Sequence, residues 1–413
     1  MKSSNHDQRR KSAVERVQGA IREIAAGRMI LVRDNEDREN EGDLLCAADF
    51  ATEATIAFMA VHGRGLVCHA ITRETADRLG LDQMAKENTE SHSTAFTVSV
   101  DAVDGTTTGI SAADRAKTVA VIVDPDSDRT ALRRPGHLFP IVARDGGVFA
   151  RPGHTEAAVD LARLAGLRPS GVICEVLKDD GTMARGPELE AMASEYSMPL
   201  ISVEDLIVYR DSIADVELEA GPQARMPTAH GPFSVQVFRG SDPAAREAVL
   251  VSSSTDPGTN APLVRVHSEC LTGETFAGAR CDCGRQLEHA MRRIAEEGGH
   301  LVYLRQEGRG IGLFEKIRAY ALQDRGLDTV DANLALGHQA DERRFGTAAA
   351  ILKSKGVQKI RLLTNNPDKW SVFAHAGIEV VAREALTVGR NEHNTEYLAT
   401  KVNRMGHVMG VGA

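Results

Sequence analysis

Aromatic residues are scarce: they form 4% of the 413 residues, and Trp370 is the sole tryptophan. With so few rings the chain has no stacking platform for single-stranded nucleic acid. A basic surplus is missing too, since 49 lysines and arginines face 58 aspartates and glutamates, a formal net charge of −9. Duplex and membrane-surface binders show the opposite balance, so nucleic acid and membrane are excluded as partners; a local basic pocket for a small phosphate is not. No apolar run approaches the roughly eighteen residues of a membrane span. Met1–Lys11 is polar and lacks the apolar stretch of a secretory signal. These absences predict a cytoplasmic protein. There is no Gly-Lys-Ser/Thr of a nucleotide P-loop. Only six cysteines occur, which in a reducing compartment read as thiols or metal ligands rather than disulfides.

What is present is enough apolar material, 42% of residues, for two cores, and the length favours two domains of about 200 residues. Residues 1–12 read as a disordered tail. Val14, Val17, Ile21 and Ile24 recur at helical spacing, predicting a helix over Ala13–Ala26 capped by Gly27. Short strands, Met29–Val32 and Gly65–Ile71, then alternate with helices such as Glu156–Leu164. Arg134-Pro135-Gly136-His137 is echoed by Arg151-Pro152-Gly153-His154 around Asp145-Gly146-Gly147, which reads as a β-hairpin. The Gly- and Pro-bearing stretch Asp211–His230 is the linker, drawn at 210–224, between a first domain over 13–209 and a second over 225–413. After it come strand Pro262–His267, helix Arg285–Glu297, strand His300–Arg305, helix Leu313–Arg325, helix Asp341–Lys355, strand Lys359–Leu363 and a terminal helix. The fold class is therefore mixed α/β (α+β), with two independent domains, each a mixed sheet covered by helices.

Two clusters carry chemistry. The segment Asp34–Asp43 holds six carboxylates in ten residues, directly after an apolar strand. If it is extended, Asp37, Glu39, Glu41 and Asp43 share one face, a concentration of charge that a hard divalent cation would offset. A solvated loop is the plain alternative. Farther on, Cys270, Cys281 and Cys283 fall within fourteen residues with no fourth ligand nearby. Three protein ligands and an open position suit a catalytic zinc. His267, just upstream, fits a substrate contact as well as a metal ligand. Glu307-Gly308-Arg309-Gly310 follows a strand and precedes a helix, where backbone N–H groups can meet a phosphate.

Asp37-Arg38-Glu39-Asn40-Glu41-Gly42-Asp43, Thr107–Arg115, Arg134–His137 and Gly153–Ala157 resemble 3,4-dihydroxy-2-butanone 4-phosphate synthase, over residues 13–209. The resemblance implies conversion of ribulose 5-phosphate to the butanone phosphate and formate, with magnesium or manganese on Glu39 and His154. It implies substrate contacts from Arg38, Asp43, Thr107, Thr108, Arg151, Gly153, Thr155 and Glu175, with His137 and Glu175 catalytic. Arg265–Gly273, Arg280–Gly284, the glycine loop and Leu363–Pro367 are similar to GTP cyclohydrolase II, over about 225–409. That family opens the guanine ring of GTP, giving 2,5-diamino-6-ribosylamino-pyrimidinone 5'-phosphate, formate and pyrophosphate. The resemblance implies zinc on Cys270, Cys281 and Cys283, where it activates water. GTP, carrying its own magnesium, would be held by Arg265, Val266, His267, Ser268, Glu269, Gln286, Glu307, Gly308, Arg309, Thr329, Thr364 and Lys369. Asp341 would accept a proton, Tyr320 would assist proton transfer, and Arg343 is the family's nucleophile toward the α-phosphate. By its chemistry Arg343 suits a phosphate clamp better, because guanidinium stays protonated. A homodimer is also implied. A single working half, or a zinc- and nucleotide-binding regulator, are the alternatives that sequence leaves open.

Overall fold

The computed structural model describes residues 3–243, 246–405 and 407. The chain divides into two compact units, one of Arg10–Tyr209 and one of Arg210–Ala413 together with Met1–Arg9. Each is built on a seven-stranded mixed sheet. Residues 1–2 of the expected tail lie outside the described residues, but from Ser3 onward the tail is not irregular: a helix runs Ser3–Ala25. Val14, Val17, Ala20 and Ile24 are buried along one face of it, and the reversal comes at Gly27 with φ +76°. Burying each of the larger side chains is worth about 1.5–3 kcal/mol, enough to carry the polar first turns along with them.

In the first unit the strands are β1 (Ile30–Arg33), β2 (Gly42–Ala47), β3 (Cys68–Ile71), β4 (Val100–Ala102), β5 (Leu132–Val142), β6 (Gly171–Glu175) and β7 (Leu200–Ser202), in the order β4-β5-β3-β6-β2-β1-β7. The three central neighbours β3, β6 and β2 are antiparallel and almost wholly buried. β1 and β2 form a hairpin whose connection is the acidic segment 34–41. That segment is a compact turn, in keeping with the loop reading, and the period-two face that an extended chain would give does not form. Asp34 makes the turn: its carboxylate accepts from the N–H groups of Glu39 and Glu41. The hairpin expected around Asp145-Gly146-Gly147 is absent as well. β5 provides one arm, but Gly147–Phe149 is a single 3-10 turn and a helix starts at His154. Asp160 from that helix accepts the Val148 N–H, closing the turn against the helix instead of a second strand.

The second unit has β8 (Leu218–Thr228), β9 (Gly231–Gly240), β10 (Glu247–Ser253), β11 (Leu263–Ser268), β12 (Gly299–Leu304), β13 (Lys359–Leu363) and β14 (Glu379–Glu384), in the order β14-β13-β11-β12-β10-β9-β8. The expected linker is mostly β8, an edge strand paired with β9 and tolerant of its prolines for that reason. One half of this sheet is antiparallel. The other half, β12-β11-β13-β14, is parallel. The helix expected from Asp341 begins at Gly346 instead. Asp341–Arg344 precede it as irregular chain because the Asp341 carboxylate bonds the Arg343 N–H and guanidinium rather than capping a helix. The remaining expected helices occur at Cys283–Glu297, Gly312–Gln323 and Thr395–Met405. No helix among the described residues is long and apolar enough to cross a membrane.

Candidate functional sites

In the first unit, the β1–β2 turn, the end of β6 and the start of helix His154–Leu164 meet. Register places Asp43 on β2 directly opposite Glu175 on β6. Ligand atoms of Asp34, Glu39 and His154 all lie within 4.8 Å of one another. His154 Nδ1 is 3.9 Å from Glu39 and 3.7 Å from Asp43, and its buried Nε2 has no partner. Burial pulls the imidazole down to about 4, only partly countered by Asp34 and Glu39, so the ring is neutral and suited to a metal. Arg38 already stands in for a cation here, donating to Asp34 at 2.7 Å and Glu39 at 2.6 Å. Carboxylate oxygens plus one imidazole suit a hard divalent ion. Burial and mutual proximity push Asp43 well above the usual carboxylate range, and burial raises Glu175, whose Oε2 accepts the Leu66 N–H. Gly65 allows that approach: a Cβ there would lie 2.6 Å from Glu175 Oε2.

His137 lies on β5 with its side chain 44% exposed; Nδ1 meets Asp101 at 2.8 Å and its backbone N–H donates to the other Asp101 oxygen. Gly109, at φ +93°, lets the chain pass, since a Cβ would fall 2.5 Å from His137 Nδ1. Thr107 spends its N–H and hydroxyl on Asp114, which those bonds hold at about 2, whereas Thr108 is exposed. Arg151 is likewise engaged, donating to Glu156, the His92 carbonyl and Thr94. It therefore ties the loop 90–94 beside Gly153 and the buried Thr155.

In the second unit, three adjacent parallel strands deliver the site from their carboxyl ends, the usual ligand position in such sheets. β11 ends in Arg265–Ser268 and runs into Cys270; β12 leads to the glycine loop; β13 leads to Thr364. Cys270, Cys281 and Cys283 have their sulfurs within 4.8 Å of one another, with 3.6 Å between Cys270 and Cys281. That is close to the ~3.8 Å edge of a zinc tetrahedron with 2.3 Å bonds, and far from a disulfide. Gly273 makes the room, as a Cβ would lie 2.6 Å from Cys281 Sγ. Lys316 reaches Cys270 Sγ at 3.2 Å and Glu307 at 2.6 Å. Burial would lower its pKa, yet Glu307 and Cys270 together raise it, so the ammonium is retained. Glu307 also accepts the Leu271 N–H. Tyr320 Oη is 3.2 Å from Thr272 Oγ1, and burial raises its pKa. Burial alone would raise Asp341, but the Arg343 guanidinium overrides it and holds the carboxyl at about 2.

A 3,4-dihydroxy-2-butanone 4-phosphate synthase family model matches residues 18–209, and a GTP cyclohydrolase II model matches residues 219–385. The riboflavin biosynthesis protein RibBA of Salinispora tropica is 48% identical over 396 residues, covering 95% of this chain and 98% of that one. RibBA of Bacillus cereus strain G9842 is 48% identical over 400 residues, 96% and 99% of the two chains. The chain belongs to the bifunctional riboflavin biosynthesis family. Its first domain is a 3,4-dihydroxy-2-butanone 4-phosphate synthase and its second a GTP cyclohydrolase II. A solved structure, RibBX of A. baumannii, described as a two-domain 3,4-dihydroxy-2-butanone 4-phosphate synthase, is similar at TM-score 0.61 and 33% identity, covering 90% of this chain and 99% of its own.

Set beside this family, the expected GTP contacts fall into two adjoining cavities. Ser268, Glu269, Glu307, Gly308, Arg309, Thr329 and Tyr320 line the one with the cysteines. Arg265, His267, Gln286, Thr364 and Lys369 line a basic neighbour, and Arg343 and Arg309 border both. Val266 is different: its side chain is core, and only its carbonyl takes part, accepting from Lys369 at 2.7 Å. His267 is not in the thiol cluster; it bonds Glu274 at 2.8 Å and stacks on Tyr303. Sequence reasoning missed Asp34 as a ligand-distance carboxylate, Asp101 behind His137, and Lys316 against Cys270. Asp34 carries only the signal of the acidic segment it opens, and Asp101 none beyond a common residue type. Lys316 lies four residues before Tyr320 on one helix, and that spacing was the available clue.

Proposed function

We propose that the two reactions run through these two chemically distinct centres. The carrying observation is the pair of clusters itself: Asp34, Glu39 and His154 in one domain, Cys270, Cys281 and Cys283 in the other.

In the first domain, Glu39 and His154, with Asp34, hold magnesium or manganese, which when bound supplies positive charge for the enediolate of ribulose 5-phosphate. His137, fixed in one tautomer by Asp101, moves protons through its other nitrogen. Asp43 and Glu175, both raised by burial, share protons as a pair during the skeletal shift and loss of formate. Arg38, Gly153 and Thr155 position the substrate, and Thr108 rather than the engaged Thr107 offers its hydroxyl to the phosphate. Arg151 acts by holding the loop.

In the second domain, Cys270, Cys281 and Cys283 hold zinc, which when bound supplies the Lewis acidity that makes water nucleophilic at neutral pH. The resemblance's list of GTP contacts sorts along the two cavities, thiol side and basic side. Arg343, paired through two bonds to Asp341, stays protonated, which supports a clamp on the phosphates over a nucleophile. Asp341 is ionised throughout the working pH range and is available as a proton acceptor once substrate draws Arg343 away. Tyr320, kept protonated by burial, donates during ring opening. A cytoplasmic location, and the homodimer that the resemblance implies, belong to the same reading.

The test is formate release by the purified chain, given ribulose 5-phosphate with magnesium and, separately, GTP with zinc and magnesium. Formate from both is expected. Formate from one substrate alone would reduce the other centre to a scaffold, and formate from neither would leave a zinc- and nucleotide-binding regulator.

A further inference from the structure

The family match to the cyclohydrolase ends at residue 385, yet the chain returns to the same site after it. Helix Thr395–Met405 is tied down at two points. Lys401 donates to Asp282 at 2.8 Å, between the cysteines Cys281 and Cys283, and Arg404 donates to Asp331 at 2.9 Å, on the helix that begins with Thr329. So anchored, it contributes Tyr397 and Lys401 to the basic cavity that also holds Arg265, Arg343 and Lys369, and His407, beyond the helix, lines the same cavity. Tyr397 lines the thiol cavity as well, so it stands at the junction of the two.

The polar inventory of this corner is unbalanced in one direction. Both terminal nitrogens of Arg309 are buried without a hydrogen-bond partner, and so is His407 Nε2. Arg309 sits in the left-handed region at φ +65°, its carbonyl pinned by the Glu342 N–H at 2.9 Å. The Tyr397 ring lies between two cations, Lys401 Nζ at 4.3 Å and the Arg309 guanidinium at 5.8 Å from its centroid. Buried donors are normally satisfied. Orphaned donors gathered among cations therefore call for an anion with several oxygens, and a polyphosphate chain supplies them.

We propose that Tyr397, Lys401 and His407 form the wall of the nucleotide site that holds the polyphosphate chain, with His407 donating from Nε2 to a phosphate oxygen and Tyr397 and Lys401 positioning Arg309 for the same ligand. The assignment rests on the GTP reading of this domain and adds a recognition element beyond the matched region. Burial, with Lys401, Arg343 and Lys369 nearby, pulls the imidazole down to about 2, so it adds no further charge among the cations.

The experiment uses the full-length, zinc-loaded chain and inorganic tripolyphosphate as probe, with binding measured by calorimetry and by inhibition of GTP-dependent formate release. His407→Ala is expected to weaken tripolyphosphate about tenfold, the loss of one charge-assisted hydrogen bond, and to raise the KM for GTP by a similar factor. Guanosine binding, zinc content and the ribulose 5-phosphate rate stay at parent values. His407→Gln keeps an N–H donor and recovers most of the loss. Unchanged tripolyphosphate affinity in His407→Ala, or an equal loss for guanosine, would overturn the proposal. A parent chain that binds tripolyphosphate in a His407-dependent way but releases no formate from GTP would uphold this wall while removing the hydrolase reading.

Discussion

The two centres of this chain solve opposite electrostatic problems. The first gathers Asp34, Glu39, Asp43 and Glu175 around one buried imidazole, an excess of negative charge that the protein relieves by inserting Arg38 and by raising the pKa of Asp43. The second gathers Arg265, Arg309, Arg343, Lys369 and Lys401 beside three thiols, a crowding of basic groups met by Asp282 and Asp341 and by burial, which lowers the pKa of Lys369 well below its ordinary value. A carboxylate-rich site draws a hard cation and a substrate that chelates it; a cation-rich site beside sulfur draws a polyphosphate and a softer metal. The backbone supports differ to match. The carboxylates sit on the β1–β2 turn and on the facing strands β2 and β6, with the imidazole at a helix start. The thiols and arginines hang from the carboxyl ends of three parallel strands, where loops converge without rearranging the sheet.

If the centres are independent, they can be switched off separately, and this is the largest effect expected. Cys281→Ser should remove zinc, measured by metal analysis, and lower formate release from GTP at least about a thousandfold, a typical cost for losing the central electrostatic element. Formate release from ribulose 5-phosphate should be unchanged. His154→Ala should give the reverse pattern with a loss of the same order, accompanied by a raised requirement for magnesium. Loss of both activities in either variant would break the comparison, because two separate sites cannot fail together through one ligand.

A smaller effect sharpens the electrostatic contrast. Lys316 is the cation that meets sulfur, donating to Cys270 while gripping Glu307. Lys316→Met keeps the apolar stem but leaves three thiols with one fewer compensating charge. Zinc retention against a competing chelator should fall on the order of tenfold, and the GTP rate at saturating zinc should fall less. Zinc affinity equal to the parent's would show that Lys316 serves Glu307 alone.

Most of this arrangement is readable in the residues, and what is not has a physical reason. The mixed sheets, the helix periodicity of Val14–Ile24 and the three clustered cysteines are local patterns, and local patterns survive folding. The acidic segment reads as a loop, and a loop it is, but which carboxylates converge depends on Asp34 accepting two backbone N–H groups, a choice invisible until the side chain is placed. The echo of Arg-Pro-Gly-His is real in sequence and yet the two copies differ in structure: His137 ends up in a strand beside Asp101, His154 at a helix start. Identity over four residues does not fix conformation when helix packing supplies the larger free energy. The stretch around Pro222 and Pro227 reads as a linker since prolines suppress strands, but an edge strand does not need those N–H groups. Asp101 and His407 become functional candidates only through contacts made across long stretches of chain, and spacing alone holds no record of those.

The smallest expected effect concerns stability rather than rate, and it tests whether buried imidazoles burden the first domain in acid. His69 on β3 is fully buried, with Nε2 at 2.7 Å from Ser170 and Nδ1 unpartnered, and burial pulls it down to about 3. Its folded value lies below its unfolded value near 6.5, so the unfolded chain binds the extra proton. The stability that the neutral ring permits is therefore fully present above about pH 6.5 and is lost as pH falls toward 3, at up to about 1.4 kcal/mol per pH unit. In urea titrations followed by ribulose 5-phosphate activity, the midpoint of the parent should drop between pH 6.5 and 5 more steeply than that of His69→Gln, which cannot take up a proton. The variant itself will be somewhat less stable at pH 8 because the amide repacks imperfectly, so the slope and not the absolute midpoint is the measure. Parallel slopes would assign the acid sensitivity of this domain to its other buried imidazole, His154, because Asp43 and Glu175, both raised by burial, bind protons more readily in the folded chain and gain stability in acid.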